Sequence, residues 1–197
     1  VLEVVGVEAD AELLADWAAR VERARARIGW PAGGIASRPH GDGASMALAA
    51  PFDQLFTATE VNEWALCSAV HARDPARWTG LGEALVAAAL EESRAPADAG
   101  PPVLDEVPAL ERLERLAAAE RRPLLRELVE AARLRGLPWL LDDEELSLGA
   151  GAGSRRYELD ALPDAGGIPW TELHDVPTAL VTGSNGKTTT VRLIAAC

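Results

Sequence analysis

The sequence predicts an α/β chain in three parts: an N-terminal α+β accessory region, a helical pair with a β-hairpin, and the first strand-loop-helix of a P-loop domain. Three observations carry this reading. Alternating and helical apolar patterns succeed one another over 1–95, strong helix start and stop signals mark a helical pair within 103–160, and 171–197 contains Thr178-Ala-Leu-Val-Thr-Gly-Ser-Asn-Gly-Lys-Thr-Thr-Thr190. With 48% hydrophobic and 25% charged residues, a chain of 197 residues can bury one good core or two small ones. Its 19 basic and 31 acidic residues leave a net charge of −12. Such a field repels nucleic acid and anionic membrane, so neither is expected as a partner.

Residues 1–8 alternate well enough for a strand, with Val5 and Val7 on one face and Leu2 and Val4 competing for the other. Asp10 is placed to cap a helix in which Leu14, Trp17, Ala18, Val21 and Ile28 recur at helical spacing. Arg20, Glu22, Arg23, Arg25 and Arg27 take the opposite face, read as solvated. The five glycines and two prolines of 29–43 predict a turn-rich loop carrying His40, before a short strand over 45–49. Thr57-Ala-Thr-Glu60 forms a capping box, so a helix is expected over 58–71 with Val61, Trp64, Ala65 and Ala69 facing inward. Glu60, Asn62 and Glu63 read as capping or solvent-exposed groups, and Cys67 as a small core residue.

A further helix is expected over 81–93 and a linker over 94–102, rich in Ala, Pro, Asp and Gly. Leu110, Leu113 and Leu116 mark the first helix of the pair. Pro123 opens the second and Gly136 closes it. Residues 138–141 and 146–148 then read as strands about the acidic turn 142–145, where consecutive carboxylates point in different directions and favour a solvated turn over a metal site. Gly149-Ala-Gly-Ala-Gly153 lacks the dinucleotide order of glycines and precedes the extended, charged 155–159, so it is read as a flexible hairpin loop.

The chemistry concentrates near residue 187. Ala179, Leu180 and Val181 read as a short buried strand, 183–186 as a tight loop and Lys187 onward as a helix. In that order the glycines let the backbone approach a phosphate, helix N–H groups converge on its oxygens, and Lys187 adds positive charge. The longer Gly-x-x-x-x-Gly-Lys-Thr spacing would need glycine at 181, where Val181 stands. The helix also opens on the β-branched run Thr188, Thr189, Thr190, Val191, which costs about 0.5 kcal/mol per residue in helix propensity. Local rules are broken in this way where function requires it.

Gly183-Ser-Asn-Gly-Lys-Thr-Thr-Thr190 with Val-Arg-Leu-Ile-Ala195 resembles the ATP-binding loop of the Mur ligase family, most closely the branch containing cyanophycin synthetase. Arg135-Gly-Leu-Pro-Trp139, Glu145-Leu-Ser-Leu148 and 149–156 resemble the region of that branch leading into its ATP-grasp domain, and 57–64 more weakly resembles its N-terminal domain. Only about twenty residues separate Arg156 from Thr178, too few for an ATP-grasp domain.

The resemblance implies an ATP-dependent carbon–nitrogen ligase that activates a carboxylate as an acyl phosphate for attack by an amino acid amine. Lys187 would be the catalytic lysine on the β- and γ-phosphates, and Thr188, with Thr189 as a second candidate, would offer a hydroxyl to Mg2+. Gly183, Ser184, Asn185 and Gly186 would complete the ATP cradle with Lys187, Thr188 and Thr189. A carboxylate and amino acid pair is then the expected substrate set, and a homo-oligomer is compatible with it. The two cysteines, far apart and without metal spacing, suit a reducing cytoplasm. The non-methionine start and the end within a helix read as the limits of a fragment, expected to be inactive alone. The alternative is a non-catalytic binding or dimerisation module carrying a remnant P-loop.

Overall fold

A computed structural model describes residues 1–75, 105–176, 181–183 and 185–196. They form two compact units, 1–121 and 122–197, of mixed α and β structure with five helices and two three-stranded antiparallel sheets among the described residues. The helix expected over 81–93 and the linker over 94–102 lie outside the described residues.

Unit 1–121 runs β1 (Leu2–Val4), α1 (Ala11–Ile28), β2 (Ile35–His40), β3 (Gly43–Leu48), α2 (Leu55–Arg73) and α3 (Glu106–Glu120). The sheet order is β1-β3-β2, pairing Val4 with Ala44 and Ser37 with Met46. A Cβ at Gly43 would fall 1.7 Å from the Val4 carbonyl oxygen, so a side chain there would block the approach of β1 to β3. Trp17, Val21 and Ala24 of α1, Met46 of β3, Val61, Trp64 and Ala69 of α2, and Leu113 and Ala117 of α3 share one buried core. Cys67 is buried beside them, and desolvation pushes its thiol up to about 12, which keeps it protonated.

Asp10 caps α1 by accepting the Leu13 N–H at 2.8 Å. The solvated-face reading fails at Arg25, which is 2% exposed. Its Nη1 donates to Glu22 at 3.1 Å and the Gly33 carbonyl at 2.8 Å, and its Nη2 to the Pro31 and Ala49 carbonyls at 3.1 and 3.3 Å. The fork geometry of guanidinium ties the chain after α1 to the end of β3. Arg23 and Arg27 reach carboxylates of α3, Glu106 at 2.8 Å and Glu114 at 2.8 Å. The loop expected over 29–43 is in part β2, which the two-residue turn Gly41-Asp42 folds directly onto β3, and this cross-strand pairing overrides the glycine and proline signals.

The capping box at Thr57 is also overturned. Helix α2 starts at Leu55, behind Gln54, and the capping group comes from α3: the Glu120 carboxylate accepts the Phe56 N–H at 2.8 Å, the Thr57 N–H at 2.8 Å and the Thr57 hydroxyl at 2.7 Å. Glu60 instead pairs with Arg112 of α3 at 2.6 Å. Asn62 is buried, accepting from Trp17 Nε1 at 2.8 Å and donating to the Met46 carbonyl at 3.3 Å.

In unit 122–197, Pro123 opens α4 (Pro123–Leu134), which buries Leu125, Leu128, Val129 and Ala132. Gly136, at φ 66°, closes it with the Leu137 N–H on the Ala132 carbonyl at 3.0 Å. Strands β4 (Trp139–Leu141), β5 (Glu145–Leu148) and β6 (Arg155–Glu158) pair in that order. Asp142 accepts the Glu144 and Glu145 N–H groups at 2.9 and 2.7 Å, which holds its carboxyl below the ordinary value and closes the acidic turn. Helix α5 (Lys187–Ala195) is the last element.

Two measurements test this account. Glu120→Ala should cost about 1–3 kcal/mol in denaturant unfolding, the penalty for leaving the first donors of α2 unsatisfied; a change within about 0.5 kcal/mol, the range of an ordinary surface substitution, would contradict it. Asp10 is held below its ordinary value by the Leu13 N–H first and by Arg73 second. Its contribution is therefore complete above the ordinary aspartate value and is lost as pH falls through the lowered one. The stability gap between wild type and Asp10→Asn should shrink on acidification across that range, read by denaturant titration at each pH.

Candidate phosphate-binding loop

The stretch around Lys187 can be built from its backbone. Val181 is half-buried, while Ala179 and Leu180 of the expected strand, and Ser184 of the loop, lie outside the described residues. Gly183 at φ 143° and Gly186 at φ 78° hold conformations that side chains resist, and Gly186 leads directly into α5. Gly186 is the N-cap residue of α5 and no side chain caps that helix. The first turn of an α-helix has N–H groups without intrahelical acceptors, so Lys187, Thr188 and Thr189 bring donors to one end of α5.

Lys187 turns its ammonium back over the loop and donates to the Gly183 carbonyl. Gly183, Asn185, Gly186, Lys187, Thr188 and Thr189 are all exposed. The structure separates the three threonines. Thr190 spends its hydroxyl on the Gly186 carbonyl at 3.1 Å, whereas Thr188 and Thr189 present theirs at the exposed first turn. After Asp175 the sequence contains no acidic residue, and Lys187 and Arg192 are its charged side chains. The partial positive charge of the helix N-terminus therefore acts without a nearby carboxylate in sequence.

The residues ahead of this loop are anchored. Gly149 at φ 84° and Gly151 at φ 53° bend the chain between β5 and β6, and the stretch 172–176 lies across that bend. The Ala150 N–H donates to the His174 carbonyl at 3.0 Å, and the His174 N–H to the Gly153 carbonyl at 3.2 Å. A Cβ at Gly153 would lie 2.6 Å from three atoms of the His174 ring. The hairpin reading of 149–153 holds, since this run joins β5 to β6, but its glycines also admit a second segment of chain. Nothing in the local spacing reveals that partner.

Sequence reasoning also missed a recess of about 570 Å³ in unit 1–121, bordered by Glu8, Asp10, His40, Asp42 and neighbouring glycines. Of its polar groups, Asp10 is engaged with Leu13 and Arg73, and His40 stands beside Glu3. Among the described residues no three of His, Cys, Asp and Glu are grouped to hold a metal ion, and no helix is long and apolar enough to cross a membrane. Comparison with protein-family models and with curated proteins gives no match to this chain.

Proposed function

We propose that 181–195 is an ATP phosphate loop and that the protein is an ATP-dependent carbon–nitrogen ligase of the Mur type. The observation that supports it most is the junction at Gly186: a left-handed glycine delivers Lys187 to the first position of an uncapped helix, with its ammonium over the loop. That arrangement offers a triphosphate converging N–H donors and one mobile cation. Bound Mg-ATP would supply the phosphoryl group that activates a carboxylate. The chain's own part is to hold and orient it. Lys187 would exchange the Gly183 carbonyl for phosphate oxygens, the 185–188 backbone would donate to them, and the Thr188 hydroxyl, or that of Thr189, would hold Mg2+. Thr190 is left out because its hydroxyl already bonds the Gly186 carbonyl. The amine that attacks the activated carboxylate would come from an amino acid. A cytoplasmic setting fits this substrate set.

One observation favours the second reading, a binding module with a remnant loop: Val191, Leu193 and Ile194 of α5 are 50%, 64% and 49% exposed, without the apolar cover a phosphate-loop helix ordinarily has. Titration with Mg-ATP followed by amide NMR separates the two. The ligase reading expects millimolar-range shifts centred on 185–189, weakened about tenfold or more in Lys187→Ala, as loss of a charge-assisted contact requires. It also expects Thr188→Val to reduce the Mg2+ dependence and Thr190→Val to leave it intact. Shifts that are absent, or equal in wild type and Lys187→Ala, would favour the remnant.

A further inference from the structure

We infer that His174, seated on Gly153, is a positioning latch that fixes where the chain departs for the phosphate loop; the inference rests on the nucleotide reading of that loop. The two segments meet through paired backbone hydrogen bonds, Ala150 N–H to His174 carbonyl and His174 N–H to Gly153 carbonyl, at 3.0 and 3.2 Å. Three glycine positions make the contact possible. A Cβ at Gly149 would fall 2.2 Å from the Gly153 carbonyl oxygen, one at Gly151 would come 3.0 Å from a Val176 methyl, and one at Gly153 would enter the His174 ring at 2.6 Å. Arg155 of β6 extends the clamp by pairing with Glu172 at 2.5 Å.

Val176 is therefore held against Gly151 at the end of the described stretch that precedes the loop. Arg155 and Glu172 stand on the exposed side, where their pairing adds little energy by itself. The specificity of the clamp comes from the backbone pairing and from close contacts at glycine, of which the one at Gly153 is with the His174 ring. A loop whose incoming chain starts from a fixed point samples fewer conformations, and this lowers the ordering cost of gripping a phosphate.

The latch and the nucleotide are then thermodynamically linked. If closure of 172–176 on 149–153 favours the phosphate-binding form, Mg-ATP must in turn favour closure. Amide hydrogen exchange of the 197-residue chain reads this directly. Saturating Mg-ATP should slow exchange at 185–188 and also at Ala150 and His174, away from the bound phosphates in sequence. In Gly153→Ala, exchange at Ala150 should rise about tenfold or more as local opening becomes easier. The Gly153→Ala, His174→Ala double variant, with the ring removed, should move back toward wild type; this compensation distinguishes the latch from general loss of folding. Slowing at 185–188 without slowing at Ala150 and His174 would overturn the latch and leave the nucleotide reading standing. No slowing at 185–188 would overturn the nucleotide reading and the latch with it. A double variant no closer to wild type than Gly153→Ala would also overturn the latch.

Discussion

Helix α2 is buried along an unbroken run from Trp64 to Val70, and this burial governs the rest of unit 1–121. A stretch of helix buried on all sides must have its polar groups satisfied by the protein itself. The chain does so with side chains from other elements. Gln54, wholly buried, accepts from Trp30 Nε1 at 2.8 Å and donates to the Ala117 carbonyl, and Asn62 spans Trp17 and the Met46 carbonyl in the same way. Glu120 supplies the cap. Each of these bonds also fixes a neighbour: Trp17 sets α1, Met46 sets β3, and Ala117 and Glu120 set α3. Trp64 Nε1 and Ser68 Oγ, one helical turn apart, are buried and have no hydrogen-bond partner among the described residues.

This dependence explains which parts of the fold were legible in the sequence. Asp10, Pro123 and Gly136 act within a few residues of themselves, and the structure has α1 and α4 beginning or ending where those residues require. The acidic turn was legible for the same reason, since Asp142 closes it with its own neighbours. Thr57 and Glu60 looked like a local cap and are not one, because Glu120 competes for the same donors from 63 residues away in sequence and succeeds. Arg25 was misread alongside its helix neighbours because the carbonyls that bury it belong to Pro31, Gly33 and Ala49. Strand β2 was hidden behind its own glycine and proline signals until β3 was there to pair with it.

The candidate site divides along the same line. The features proposed for a phosphate loop are short-range: glycines of special conformation, a helix start and a lysine all fall within a few residues, so spacing alone marked the candidate. What surrounds it was not legible. The run 149–153 offered the composition of a nucleotide fingerprint without its order, and its glycines turn out to serve a chain-on-chain contact with 172–176. Identical residues thus carry two different requirements in one chain. At Gly186 the demand is a left-handed turn at a helix start, and at Gly153 it is the absence of a side chain beneath an imidazole.

The net charge of −12 bears on the proposed triphosphate site, which would have to attract an anion to an acidic chain. The acidity is unevenly distributed, with 11 basic and 20 acidic residues in 1–121 against 8 and 11 in 122–197. At physiological ionic strength exposed charges farther away than about 8 Å are largely screened, so the total matters less than the groups beside the loop. At the loop itself Lys187 stands at the helix start, and the backbone dipoles of α5 add to its charge. Lys187 rests on a carbonyl rather than on a carboxylate. A carboxylate partner would have to be displaced against a full opposite charge, whereas a carbonyl gives up the ammonium at the cost of one hydrogen bond. If the loop binds a triphosphate as proposed, raising the salt should weaken that binding through screening of Lys187.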